Sequence, residues 1–419
     1  MKRVIGKINP ADKNVSIWGA GFSGLVLAHY LKDQGYKVTV FERSNRVGGK
    51  IETVKVPCGQ LEKGANALYM NADGMDLLKE LKLEPMPAMK KLRRFLVING
   101  KLKRPAQLGI LSKVILNGNK KPPLISDGLT VAEFFRPLLG TFYIDHFVSP
   151  ILGGIYAATA EQLHFKSIFH ELAHGAQFKS YWAFIKEMIK NQKAKPRLEV
   201  RGSVSFEGGM QALIQRLADT LRSDIKLNYK EAFKIRGNTI ICTDAMSASE
   251  LLAELRPEIS SELSRIKYQS LGSMTVFLKR EIKSLQKSFG ALIPLNSGFN
   301  SIGVINNKAI FPANHPNIYS YTFVFKKDCS QEDIQADLKK LYSAFLPEDI
   351  EHMEGGFSER GIPLYNLQRF LSIKKIHQLM EKEQDHLALF GNYVAGISLR
   401  EMISAAKKFA RDPQHILEK

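Results

Sequence analysis

At 419 residues and 47.1 kDa the chain is too long for one ordinary core, and at roughly 150 residues per domain two or three domains are expected. Hydrophobic residues at 44% and charged residues at 24% sit close to the globular norm, which excludes wholesale disorder. The net charge of +19 calls for an anionic partner, whether nucleic acid, an acidic membrane face or an acidic ligand. Cys58, Cys242 and Cys329 lie far apart with no CxxC pair, so a disulfide scaffold is not expected and a reducing compartment fits. The longest uncharged run, Ser288 to Asn307, carries Pro294 and three glycines and does not read as a membrane span. The first fourteen residues lack the apolar core of a secretory signal, so a cytoplasmic location is the default expectation.

In chain order, the short apolar run Val15–Trp18 feeds Gly19-Ala20-Gly21-Phe22-Ser23-Gly24, and apolar residues then recur at helical spacing up to Gly35. An alternating strand from Lys37 ends in the acid Glu42, with Arg43 behind it. Gly19 permits the tight turn, Gly21 the approach of a pyrophosphate, and Gly24 close helix–strand packing; Glu42 can accept from ribose hydroxyls. The helix amino terminus offers its N–H groups to phosphate. An acid rather than a base at the strand end favours NAD or FAD over NADP.

Arg46-Val47-Gly48-Gly49-Lys50 follows, and then Leu61-Glu62-Lys63-Gly64-Ala65-Asn66. These segments resemble the flavin amine oxidase superfamily. The resemblance implies non-covalent FAD, with Arg46 and the Gly48-Gly49 backbone against its pyrophosphate and Lys50, Gly64, Ala65 and Asn66 close by.

Between Glu84 and Asp127 there is no acid, against ten lysines and arginines interleaved with apolar residues. That pattern suits an anionic membrane surface bound peripherally, a cleft for an anionic ligand, or a solvated basic face. No nucleic-acid motif accompanies it. His170-Glu171-Leu172-Ala173-His174 spells HExxH, but Gln177 and Ser180 break the three-histidine extension, and Glu187 or Glu199 could only be nominated as a third ligand. The surrounding Phe165 to Met188 reads as one aromatic-rich amphipathic helix, with the HExxH match a coincidence and no metal expected.

Ser205 to Leu213 opens a helix that runs to Leu221, and a strand pair is expected at Ile225–Ile235 and Thr239–Thr243. Near the carboxyl end a strand, His386–Phe390, feeds the turn Gly391-Asn392-Tyr393-Val394-Ala395-Gly396 and a helix from Ile397 to Phe409. A helix amino terminus there can stabilise negative charge on a reduced flavin ring.

Within the superfamily, several segments resemble the protoporphyrinogen oxidase family: Phe147–Ala157, Phe289–Pro294, Gly303–Pro312, Ile362-Pro363-Leu364-Tyr365, and Gly391–Ser398. The departures are Asn66 for an arginine, Met246-Ser247 for Thr-Pro, and Arg400-Glu401 for an acidic-Cys pair. The resemblance implies an α/β fold: a Rossmann-type FAD-binding domain built from residues 1–85, 202–262 and 381–419, a mixed-sheet substrate domain from 86–104 and 263–380, and a helical membrane-associated lobe over 105–201. It places Ala232 near the adenine, Asn392, Val394, Ile397 and Ser398 at the flavin, and Arg94 against a substrate propionate. The implied activity is oxidation of protoporphyrinogen IX to protoporphyrin IX with oxygen as acceptor. An amine oxidase, a coproporphyrinogen-type oxidase, a non-catalytic FAD protein and a homodimer stay open. The strand Leu271–Leu278 lacks the lysine that amine oxidases usually place near the flavin.

Overall fold

The computed structural model describes residues 4–105, 109–172, 177–193, 196–295, 297–383 and 385–414. Three distant parts of the chain build the first sheet. Its six strands lie in the spatial order Ile5–Gly6, Leu387–Leu389, Asn238–Ile241, Asn14–Trp18, Lys37–Phe41 and Ile225–Lys226. All neighbours are parallel except Ile5–Gly6, which runs antiparallel to Leu387–Leu389. Parallel strands need both faces covered, and both are. Helices Phe22–Asp33, Gln211–Leu221 and Leu399–Arg411 bury Leu25, Leu213, Ile403 and their neighbours on one face. On the other, Ala245–Leu252, Pro257–Ser264 and Leu367–Lys382 pack against Ile241 and Leu389. The buried Asn238 ties the segment ahead of the Asn14–Trp18 strand to this sheet by accepting from Asn9 N–H and donating to the Asn9 and Asp12 carbonyls.

The second sheet is mixed. Its seven strands run Ile350–Pro363, Tyr268–Leu278, Tyr319–Phe325, Ser301–Asn306, Ser288–Leu292, Arg93–Ile98 and Lys101–Lys103, antiparallel except where Ser288–Leu292 meets Arg93–Ile98. Period-2 alternation sends Phe95, Val97, Ala291, Val304 and Phe323 to a core roofed by the helix Gln331–Leu341. Arg94 lies on the opposite face of its strand from Phe95.

Helices Ile110–Asn117, Val131–Leu139, Phe165–Ile168 and Tyr181–Lys193 gather into a lobe around Phe134, Phe165, Tyr181 and Phe184, and Ser149–Tyr156 packs beside it in a second cluster with Val131, Ile144 and Leu152. Thr130 starts the second of these by a reciprocal cap with Glu133, as T-x-x-E predicts. Among the described residues no helix is long and apolar enough to cross a membrane.

Three local expectations are corrected. Phe165 to Met188 is not one helix: a helix continuous from Phe165 to Phe184 would hold them about 28 Å apart at 1.5 Å per residue, whereas their rings lie 6.3 Å apart. Ring packing folds the chain back. The expected strand pair is not a hairpin either, since Ile225–Lys226 and Asn238–Ile241 lie on opposite sides of the glycine-turn strands. Residues 227–237 instead send Tyr229 and Phe233 against Trp18 and Phe41. The last helix starts at Leu399 rather than Ile397, because Ser398 caps it.

Candidate flavin site

Gly19 follows the Asn14–Trp18 strand with φ +108°, and Gly21 caps the helix Phe22–Asp33. That helix has no side-chain cap and no acid in its first turn, so its amino-terminal N–H groups are left to an outside acceptor. Gly24 is obligatory for packing: a Cβ there would sit 1.9 Å from the Gly19 carbonyl oxygen. Gly21 faces Gly48 in a parallel bridge, and a Cβ on Gly49 would come 3.1 Å from the Gly21 Cα. Phe22 is buried and Ser23 half-buried beside Met402, toward which its hydroxyl points at 3.1 Å.

Glu42 ends its strand at the rim of this turn. One carboxylate oxygen accepts from Ala20 N–H at 2.8 Å, the other from Ser44 N–H and hydroxyl at 2.8 Å. Arg43 is exposed beside it. Arg46 shapes the next turn by donating to the carbonyls of Gly49 at 2.6 Å and Val47 at 3.3 Å, and it pairs with Glu52 at 3.2 Å. Lys50 reaches across to the second sheet, where its ammonium donates to the Arg360 carbonyl and, at 3.0 Å, to that of Gly361. A Cβ on Gly64 would strike the Lys50 carbonyl, so Gly64, Ala65 and Asn66 run half-buried against that turn. A cavity of about 600 Å³ opens beside Arg46, Val47, Thr53, Ile225 and Leu227. Ala232, exposed on the 227–237 crossing, does not line it.

From the other end of the chain, the Leu387–Leu389 strand delivers Gly391–Gly396 alongside. Gly391 accepts from the N–H groups of Val394 and Ala395. The next two carbonyls are drawn to one helix end: Asn392 accepts from the Tyr365 hydroxyl at 2.5 Å and Tyr393 from Arg369 Nε at 2.9 Å. Gly396 has φ +121°, and a Cβ there would lie 2.7 Å from the Glu401 carboxyl. Glu401 accepts from the Ser398 hydroxyl at 2.8 Å and so closes the capping box that starts Leu399–Arg411. Val394 is buried, and Ile397 packs against the cluster that holds Tyr365 and the lobe's Leu152.

The donor set and the close-packed glycines fit a dinucleotide. An uncapped helix start, a cradle that a Cβ would fill and a strand-end acid lie together, although 370 positions separate Gly21 from Gly391. Arg94 is exposed at the start of its strand, with its guanidinium 5.0 Å from the Phe289 ring. A second cavity of about 600 Å³ lies where the second sheet meets the lobe, between Val97, Ile293 and Ile302 on one side and His146, Ser149 and Gly153 on the other. Arg94 does not line it; Lys326 does, with burial pushing its ammonium below the ordinary value. His170 lies 4.0 Å from Glu401, while Ala173 and His174 of HExxH fall outside the described residues. Among the described residues no three candidate metal ligands come together.

Residues 22–232 match the family described as flavin containing amine oxidoreductase. The chain belongs to that family. It takes FAD, and its fold is that of the α/β FAD-dependent oxidoreductases. It is 27% identical over 479 aligned positions to protoporphyrinogen oxidase 2, chloroplastic/mitochondrial, of Arabidopsis thaliana, covering 96% of this chain and 93% of that protein. Coproporphyrinogen III oxidase of Staphylococcus aureus (strain NCTC 8325 / PS 47) is 28% identical over 266 positions, covering 55% of this chain and 54% of that one. A solved structure from Exiguobacterium sp. 255-15 superposes with a TM-score of 0.77 at 16% identity, over 96% of this chain and 98% of that one.

The sequence reading missed Arg369 and Lys326. For Arg369 a signal existed: it stands in the first turn of a helix whose Asn366 cap directly follows Tyr365, so the segment that starts this helix carries both donors that hold the glycine turn. Lys326 carries no comparable pattern.

Proposed function

We propose that this chain oxidises protoporphyrinogen IX to protoporphyrin IX, with FAD as the two-electron acceptor and oxygen as the terminal one. The observation that carries the reading is the Arabidopsis likeness, which runs through both sheets and the lobe rather than the nucleotide-binding part alone. When bound, FAD supplies the redox chemistry; the protein supplies binding, orientation and exclusion of water. The Phe22–Asp33 helix start and the Gly48-Gly49 turn hold the pyrophosphate, and Gly391–Ser398 holds the flavin ring. Arg94, an exposed cation in an acid-free stretch, binds a propionate. The cavity at the junction of second sheet and lobe is of ligand size and apolar on the Val97, Ile293 and Ile302 side, with Lys326 and His146 offset by Asp145 and Glu161 in its lining.

The lobe is read as a peripheral anchor on an anionic, cytoplasm-facing membrane. In Ile110–Asn117 no residue is buried; Leu111 and Leu116 are 70% and 75% exposed, with Ile115, Leu124 and Phe142 also open and Lys113, Lys120 and Lys121 among them. Coproporphyrinogen oxidation is the second reading, supported by the Staphylococcus aureus likeness over half the chain. The deciding experiment loads the full chain with FAD and follows porphyrin fluorescence and oxygen uptake with protoporphyrinogen IX, coproporphyrinogen III and a panel of amines. Preferred turnover of protoporphyrinogen IX is expected; turnover of amines alone would overturn the reading.

A further inference from the structure

The glycine turn that the proposed function assigns to the flavin ring is gripped from behind by a buried cation. Arg369 is 2% exposed, although it stands in the first turn of Leu367–Lys382, where the helix dipole disfavours positive charge. Its Nε donates to the Tyr393 carbonyl at 2.9 Å, and its guanidinium carbon lies 3.8 Å from the centre of the Tyr365 ring. Its Nη1 is buried with no acceptor among the described residues. Tyr156, Tyr268 and Tyr365 lie around it, and burial raises the hydroxyls of Tyr156 and Tyr268 well above their ordinary value. Glu401 is the one acid whose charge reaches it; it makes no salt bridge to the guanidinium among the described residues and accepts instead from the Ser398 hydroxyl.

Holding the Tyr393 carbonyl needs only a neutral donor, and Tyr365 already ties the adjacent Asn392 carbonyl. A desolvated guanidinium with no acid in salt-bridge contact among the described residues is a costly way to make one hydrogen bond. What the extra charge can do is act on a neighbour whose own charge changes, because low dielectric lets it act at range. Reduction makes a flavin more negative at the N1 and C2-carbonyl end, and an arginine stays cationic throughout.

We infer that Arg369 raises the reduction potential of the flavin by placing a buried positive charge behind Gly391–Gly396. The inference rests on that turn holding the flavin ring. The test uses the full-length, FAD-loaded protein and its Arg369→Met, Arg369→Gln and Arg369→Lys variants. Midpoint potential is read by dye equilibration, and sulfite affinity serves as an independent probe of how well the flavin tolerates negative charge. Met and Gln are expected to lower the reduced-to-oxidised ratio at fixed potential at least tenfold, about 30 mV for a two-electron couple, and to weaken sulfite binding comparably. Gln can keep a donor for Tyr393, so charge and hydrogen bond are separated, and Lys should restore most of both readouts. A purely structural arginine predicts lower melting temperatures with an unmoved potential, which would overturn the inference. Loss of FAD from Lys and Gln alike would overturn it too, since a charge role requires Lys to keep the cofactor. A wild-type chain that holds no FAD would instead defeat the underlying reading of the turn.

Discussion

Glu62 is the acid whose titration the fold perturbs most clearly. It stands at the end of the strand Gly59–Glu62, yet serves a helix nearly 150 residues away. One carboxylate oxygen accepts from Met210 N–H at 2.9 Å and the other from the Thr53 hydroxyl at 2.8 Å, while Thr53 Oγ1 accepts from Gln211 N–H at 2.9 Å. Together they cap Gln211–Leu221, which has no side-chain cap of its own. Burial outweighs these hydrogen bonds and pushes the Glu62 carboxyl up from 4.5 to about 7. The folded state therefore binds the proton more tightly, and the stabilisation is full below about 4.5 and lost as pH rises through about 7. With those two values, linkage gives roughly 2.5 kcal/mol of stability lost between about pH 5 and 8 through this one group. Glu62→Gln keeps an acceptor for Met210 N–H and removes the titration. Urea midpoints of both proteins, measured from pH 5 to 8, should therefore converge or cross as pH rises, with the Gln variant gaining on wild type by roughly that amount. Parallel curves, or a variant that loses ground with rising pH, would refute the reasoning.

Gly24→Ala places a Cβ 1.9 Å from the Gly19 carbonyl oxygen, and since both partners are backbone the turn must open. The purified variant should hold at least tenfold less FAD by its visible absorbance, and a yellow variant of normal occupancy would contradict the packing argument. Arg94→Ala should raise the KM for protoporphyrinogen roughly 10- to 150-fold, the equivalent of about 1.5–3 kcal/mol for a charge-assisted pair; FAD content should be unchanged, and a wild-type KM removes the propionate clamp. The double change Leu111→Gln and Leu116→Gln removes apolar area that is already exposed, so it should leave melting nearly unchanged while weakening co-sedimentation with anionic vesicles. Wild-type co-sedimentation should also fall as salt rises; salt-independent binding would argue against the basic surface.

The glycine turn was legible because its determinants are local. A strand, a G-x-G-x-x-G turn, a helix and a strand-end acid occupy under thirty consecutive residues, and each residue type answers to backbone geometry within that span. The Thr130 and Ser398 caps are equally local, yet the Ser398 box went unread and the last helix was placed two residues early. Aromatic packing was not: the Phe165–Met188 pattern fits a helix, and only the meeting of Phe165, Phe169 and Phe184 folds it back. Strand pairing was no more readable, because which edge of the sheet receives Ile225–Lys226 depends on residues 185 positions earlier.

Sequence alone thus determined that a nucleotide turn exists, that a second glycine turn near residue 391 could complete it, and that a long basic stretch carries no acids. Tertiary structure decided which charges are neutralised. Arg46 is engaged by carbonyls and Glu52, Arg94 is left exposed, and Arg369 is sealed among tyrosines; composition counts all three alike. It also decided that Glu62 caps a distant helix at the expense of its own ionisation. The reason is physical: backbone conformation responds to near neighbours in sequence, whereas desolvation and pairing respond to whatever the fold brings within a few ångströms.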